Sequence, residues 1–297
     1  MTAGPQVSVV VPHFSDLARL DLCLKALAVQ TWPGPVEIIV ADNASPEGQD
    51  AVAGVIDGRA RLVIARERGP GPTRNTGVAA ATGEILAFTD CDCRPEPGWL
   101  AAGLEALSRH DIVGGRVMVL VEDPARMTAV EAFEAVFAFP NDHYVAKRGF
   151  TVAANLFCGR ALFETVGGFG TSHPEDVVWC QRAAAAGYSL GYAPDAVVGH
   201  PARRTWGELL VKARRISLGT FNLYVREPRG RAAWLRRTLA TPVEVLRQAR
   251  RIVITPKLRR PSDRAGALAI MLRLRWWSFW DGLRLLRGKT GAGQPSI

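Results

Sequence analysis

Phe88-Thr89-Asp90-Cys91-Asp92 closes the run Glu84-Ile-Leu-Ala-Phe-Thr89, an apolar stretch that ends in two carboxylates two positions apart. Side chains alternate faces along a strand, so the pattern predicts Asp90 and Asp92 on one side at the strand's end. Carboxylates so placed repel each other unless a cation lies between them. The ligand set suits a hard divalent ion that keeps several waters, Mg2+ or Mn2+, and such an ion commonly holds phosphates. An isolated D-x-D is also an ordinary solvated turn, so the neighbouring sequence decides between the two.

Upstream, strand and helix patterns alternate. Val7-Ser-Val-Val-Val11 is a buried-strand run stopped by Pro12, and Asp16 to Gln30 carries Leu17, Leu20, Leu24 and Leu27 at helical spacing. Val36 to Ala41 and Arg61 to Ala65 are further strand runs, with a small-residue helix from Thr73 to Ala81 before the strand of Glu84–Thr89. Such alternation predicts a mostly parallel sheet covered by helices, with ligands bound beyond the carboxyl ends of its strands. Pro12-His13, Asp42-Asn43, Arg66 to Asn75 and Asp90 to Asp92 all fall there. Downstream, Pro95 to Arg109 reads as a helix, Asp111 to Val121 as a strand, Thr128 to Phe139 as a helix and Pro140 to Gly149 as a polar loop.

Three more features bear on chemistry. Gly69-Pro-Gly-Pro-Thr-Arg-Asn-Thr-Gly77 is a glycine-rich turn that carries an arginine into a helix start, as suits phosphate oxygens. His173-Pro-Glu175-Asp176 opens a helix that runs to Gly187, and His200 follows the strand-like Asp195–Gly199. No G-x-G-x-x-G follows the first strand, which argues against a dinucleotide fold.

Val9-Val-Val-Pro12, Asp42-Asn-Ala-Ser45, Arg74-Asn75-x-Gly77, Gly83-Glu84, Asp90-Cys-Asp92, Asn155, Gly167-Gly-Phe169, Glu175-Asp176 and Gly187 come in an order that resembles the family 2 glycosyltransferases of the GT-A fold, over residues 7 to 200. The resemblance implies a nucleotide-sugar donor, a Mg2+ or Mn2+ cofactor and an inverting, single-displacement transfer. It implies that Asp42, with Pro12 and His13, forms the nucleotide pocket, that Arg74 and Asn75 lie near the donor, and that Asp90 contacts ribose or sugar. Asp92 binds the metal with Asp90 beside it, and His200 matches a further metal contact in some relatives. Asp176 falls where the family places its general base, with Glu175 the neighbouring acceptor-site carboxylate and second choice as base. The stretch His13-Phe14-Ser15-Asp16 departs from the aromatic and Asn often found after the first proline. The Q-x-x-R-W signature of processive synthases is not found, which favours transfer of a single sugar to a saccharide or lipid-linked acceptor. Specificity is expected in Pro140–Gly149 and around His173. A nucleotidyltransferase and an inactive sugar-nucleotide or membrane-binding module are the alternatives.

Charge divides the chain. Pro201 to Ile297 holds 22 Lys+Arg and 5 Asp+Glu, net +17, whereas everything before it is net −8. The expected organisation is a GT-A catalytic domain over 1–225 and a basic, Trp/Arg-rich helical extension over 226–297. On a helix Leu272, Trp276, Phe279, Leu283 and Leu286 form one stripe beside Arg273, Arg284 and Arg287. Such a helix suits either an anionic membrane surface or packing on the catalytic body, and no nucleic-acid motif is visible. Five cysteines, an odd count without C-x-x-C spacing, predict reduced thiols. No signal-peptide core or membrane-spanning run is evident, so the expected location is cytoplasmic, with the possibility of peripheral contact at the inner face of the cell membrane.

Overall fold

Alternating aliphatics build the centre of the sheet. In β1 (Val7–His13), Val7, Val9 and Val11 join one buried cluster while Val10 joins another on the opposite face; Val40 and Ile39 of β2 (Val36–Asp42) divide the same way. The computed structural model describes residues 6–171 and 174–288, so His173 lies outside the described residues. Helices α1 (Leu17–Ala28), α2 (Gln49–Ile56) and α4 (Trp99–Leu107) contribute to the first cluster. Helices α3 (Pro70–Ala80), α7 (Arg160–Val166) and α8 (Glu175–Ala185) contribute to the second.

The other strands are β3 (Arg61–Ile64), β4 (Ile85–Thr89), β5 (Arg94–Pro95), β6 (Ile112–Leu120), β7 (Asn155–Gly159) and β8 (Leu190–Pro201). The sheet order is β3-β2-β1-β4-β7-β6-β8-β5. β3, β2, β1 and β4 are parallel, as are β6 and β8, whereas β7 runs antiparallel to both β4 and β6, and β5 antiparallel to β8. This mixed sheet between helices is the GT-A architecture.

Several boundaries differ from expectation. β4 stops at Thr89, and Asp90 to Asp92 form a turn closed by the Cys93 amide donating to the Asp90 carbonyl (3.0 Å), so strand alternation does not orient the two acids. β1 runs through Pro12 to His13, because β4 pairs only as far as Val10 and the proline leaves no sheet bond unmade on that side. Pro70 opens α3, where its missing N–H costs nothing, so Arg74 sits inside a helix rather than at its entrance. Gly77 permits close approach to β1: a Cβ there would meet Val10 Cγ1 at 2.6 Å. The expected helix at Pro95 starts at Trp99, after a short strand. Pro140–Gly149 holds the single helical turn α6 (Asn141–His143) and a π-helical turn, Tyr144–Arg148, rather than a polar loop. His200 lies within β8.

The chain divides into two compact units, Met1–Leu120 with Phe139–Pro201 and Val121–Ala138 with Ala202–Ile297. The second unit comprises α5 (Ala129–Phe137), α9 (Trp206–Val225), α10 (Gly230–Leu239), α11 (Thr241–Ile254) and α12 (Pro261–Arg287). Residue 225 is the last of α9, and α5 belongs with these helices. T-x-x-E sequences start α5 and α9 with complete capping boxes, Thr128 with Glu131 and Thr205 with Glu208. Glu134 is buried and bonded by Arg203 and Lys212; burial pulls the Lys212 ammonium below its usual range, against the attraction of Glu134. Ala267, Ile270 and Met271 of α12 pack with Val130, Phe133 and Val136. Leu272 and Trp276 stay exposed, and Phe279, Leu283 and Leu286 are half-buried.

One side chain sets where β8 ends. Between Gly115 and Arg116 the β6 partner jumps from Ala193 to Val197, and the buried Asn155 amide donates to the Arg116 and Ala196 carbonyls, both at 2.9 Å. Its Oδ1 accepts from the Trp99 indole at 2.9 Å. The space is full, since a Cβ on Gly115 would lie 2.3 Å from the Ala196 carbonyl oxygen. Asn155→Ala strands three buried polar groups at about 1 kcal/mol or more each. We expect a loss of about 3 kcal/mol in urea unfolding; a loss under about 1 kcal/mol would show that the bulge holds itself.

Candidate functional site

At the carboxyl ends of β1 and β2, Asp42 and His13 form a buried pair, Nδ1 to Oδ1 at 2.8 Å. The Asp16 backbone N–H donates to His13 Nε2 (3.2 Å), so Nε2 carries the lone pair and Nδ1–H donates to Asp42. Ala44, with φ 54°, turns the chain so that Ser45 donates its hydroxyl to Asp42 Oδ1 (2.5 Å) and its amide to Oδ2 (2.9 Å). Three of the carboxylate's roughly four acceptor positions are thereby used. Asn43 ties the loop after β3, donating to the Ala65 and Glu67 carbonyls and accepting from the Gly69 amide.

Arg74 joins the two sets of acids. Its side chain is 5% exposed and donates to Asp90 Oδ1 at 2.5 Å and to Glu175 Oε1 at 2.9 Å, with the guanidinium 5.8 Å from the centre of the Phe169 ring. Burial alone would favour its neutral form, but Asp90 and Glu175, with Asp176 behind them, outweigh that and hold it charged. Sequence reading gave Arg74 to the donor, whereas here both terminal nitrogens are occupied by carboxylates. Asn75, likewise expected near the donor, gives both amide atoms to the Phe169 backbone, each at 2.8 Å. It holds the Gly168-Phe169 segment that supports Arg74.

Asp92 faces His200, with Oδ2 and Nε2 3.5 Å apart. His200 Nδ1 lies 2.8 Å from the Pro201 carbonyl, which can only accept, so Nδ1 carries a proton and Nε2 is the nitrogen that faces the carboxylate. With Nε2 deprotonated, as ligation requires, this nitrogen and the Asp92 carboxylate make a donor pair that a divalent cation fits. Among the described residues no cluster of three or more His, Cys, Asp or Glu makes a closed cage. Two protein ligands leave positions for phosphate oxygens and water, as Mg2+ and Mn2+ sites commonly do. Cys23 and Cys93 contact this turn, bonding the Asp90 carbonyl and the Asp92 carboxylate at 3.6 and 3.7 Å. Burial, then the neighbouring acids, push both thiols up.

Glu175 and Asp176 open α8. Asp176 is half-buried; Oδ1 accepts from the Val177 amide at 2.8 Å and Oδ2 from the Ala153 amide at 3.4 Å. Tyr144 of the π-helical turn lies within its field: burial first, then the Asp176 charge, raise the phenol, against Arg148. Tyr144, Phe169 and Ser45 are site residues that sequence reading did not assign. Ser45 and Phe169 left a signal, as the ends of the Asp-Asn-Ala-Ser and Gly-Gly-Phe stretches, and Tyr144 lies in the Pro140–Gly149 segment expected to carry specificity.

Arg74→Met deprives Glu175 of its guanidinium inside the protein, a change that typically costs about 3–5 kcal/mol. Arg74→Met with Glu175→Gln is expected to recover part of it. Urea unfolding of the four species checks this, and a coupling below about 0.5 kcal/mol would remove Arg74 as the link between the two acids.

Comparison with known proteins gives the family and the fold. The sequence profile of "Glycosyl transferase family 2" matches residues 8–166. The chain is 34% identical over 230 residues to glycosyltransferase AglE of Haloferax volcanii, covering 74% of this chain and 75% of that one. It is 31% identical over 245 residues to pre-mycofactocin glycosyltransferase of Mycobacterium tuberculosis, 76% of this chain but 50% of the relative. Among solved structures, mannosyltransferase PcManGT from Pyrobaculum calidifontis, in complex with GDP-Man and Mn2+, superposes with a TM-score of 0.56 at 20% identity, over 99% of this chain and 77% of that one. S. aureus TarS 1-349 in complex with UDP-GlcNAc gives 0.53 at 16% identity, over 96% of this chain and 76% of that one. The structures share the fold, while the profile and the relatives carry the assignment: the chain is a glycosyltransferase of family 2.

Proposed function

We propose that the enzyme moves one sugar from a nucleotide-diphosphate donor to a hydroxyl of a saccharide or lipid-linked acceptor, in a single inverting displacement that requires Mg2+ or Mn2+. The observation that carries this reading is the Asp92–His200 pair beside the Arg74-held acids, because it offers a cation site next to two carboxylates fixed by one buried guanidinium. The donors named in two structural neighbours, GDP-Man and UDP-GlcNAc, are nucleotide sugars of this class.

In this reading Asp42, with His13 and Pro12, forms the floor of the base pocket. Asp42 is an acceptor-only carboxylate with one position left, which favours a base that presents an N–H donor at its edge. Uracil and thymine offer a ring N–H, guanine a ring N–H beside an amino group, and cytosine its amino group. Asp90, fixed by Arg74, meets the ribose or sugar. Asp92 and His200 hold the divalent ion, which when bound supplies positive charge against the departing diphosphate. Asp176 takes the proton from the attacking hydroxyl, its carboxylate aimed by the Val177 amide, and Glu175 orients the acceptor. No described helix is long and apolar enough to cross a membrane. We place the reaction at the cytoplasmic face, with the basic second unit toward an anionic surface from which a lipid-linked acceptor is presented.

UDP, GDP or dTDP with Mn2+ or Mg2+ is expected to raise the melting temperature by a few degrees, since ligand at about a hundred times its Kd adds about 2.7 kcal/mol. Asp42→Ala is expected to remove that shift, and an unchanged shift in this variant would refute the role given to Asp42. Asp92→Asn is expected to abolish the metal-dependent part of that shift. Asp176→Asn should retain the shift and lower turnover by about 10²–10⁴-fold; wild-type turnover in Asp176→Asn would transfer the base to Glu175.

A further inference from the structure

Helix α11 is apolar on two sides. Val245, Ala249 and Ile252 pack into the core of the second unit. On the other side Val243, Leu246, Val253 and Ile254 are 73%, 77%, 62% and 66% exposed. At about 100° per residue these four share one face, about 120° wide, with the exposed Arg247 and Arg250. No acid lies on that face: Glu244 falls to its side and is paired with Arg275 at 3.6 Å and with the face's own Arg247 at 3.8 Å. The face begins in α10, because Ala240 remains in the right-handed helical region and its amide bonds back to Arg236, while Leu235 and Leu239 are also exposed. Scattered exposed aliphatics are ordinary, but six between residues 235 and 254, with arginines among them, make a patch that calls for an occupant.

We propose that this α10–α11 face is the surface through which the protein rests on an anionic phospholipid bilayer. Its aliphatics enter the acyl boundary, while Arg247 and Arg250 extend to the phosphates. Charge complementarity favours this occupant. The segment from Pro201 to Ile297 has a net charge of +17, and the face carries Arg247 and Arg250 against the single flanking Glu244, which Arg275 shares. A second copy fits poorly, because a two-fold contact through this face would set Arg247 and Arg250 near their own counterparts. The choice differs from the α12 stripe read from sequence, where Phe279, Leu283 and Leu286 are half-buried. The inference rests on the membrane-facing reading of the second unit and is independent of the donor chemistry.

The test is co-sedimentation of the full chain with vesicles of phosphatidylcholine mixed with phosphatidylglycerol, and with phosphatidylcholine alone. Wild type is expected to sediment with the mixed vesicles and much less with the neutral ones. Leu246→Glu with Val253→Glu, and separately Arg247→Glu with Arg250→Glu, should each weaken sedimentation about tenfold or more, whereas Trp276→Ser on α12 should leave it near wild type. All four positions changed on α11 are exposed, and an unchanged melting temperature and nucleotide-induced shift in each variant would verify that fold and donor site are intact. Wild-type sedimentation by the Leu246→Glu/Val253→Glu protein would overturn the proposal. So would a solution dimer that this variant dissolves, which would assign the face to a second copy. Loss of sedimentation with a retained nucleotide shift would support the proposal, and absence of any nucleotide shift would count against the donor reading alone.

Discussion

Arg74 donates to carboxylates that lie 16 and 101 residues further along the chain, and it does so from a site with almost no water. Burying a guanidinium is costly unless its hydrogens are matched, so this placement demands that α3, the turn after β4 and the start of α8 meet at one point. A planar fork with two separated donors suits the task; a lysine, with one point charge, would not span both acids. Phe169 beneath the fork and Asn75 on the Phe169 backbone extend the same constraint outward.

This cation also sorts the acids. Asp90 and Glu175 share one buried guanidinium. Among the described residues no arginine pairs with Asp92, which faces His200 Nε2 instead. Asp176 is bonded by backbone amides. Four acids close together thus experience different surroundings, which is the physical basis for giving them different tasks.

Much of this was legible in the sequence, because strands buried on both faces announce themselves as aliphatic runs and every acid of the site stands at the end of one or at a helix start. What escaped depends on geometry that no local pattern encodes. The placing of Asp90 and Asp92 turned on where β4 ends: it stops at Thr89, so a turn rather than strand alternation orients both acids. His200 meets Asp92 only because β8 skips from Ala193 to Val197 against β6, a bulge clasped by an asparagine from a third strand. Strand β7 and helix α7 were not read at all, since Asn155–Gly159 is short and opens with a polar residue. The polar composition of 140–149 suggested a loop, yet the segment coils into helical turns that bring Tyr144 into the field of Asp176.

The division of the chain has a consequence for its synthesis. Helix α5 is made early, but the residues that cover Val130, Phe133 and Val136 come from α9, α11 and α12, after the whole of Phe139–Pro201 has been completed. A ribosome releases the chain from its amino terminus, so this greasy helix must wait, uncovered, while the first unit closes around it in sequence. Its capping box favours the helix start and its two glutamates make it partly polar in the interval, and Arg203 and Lys212, which eventually claim Glu134, are among the first residues to emerge afterwards.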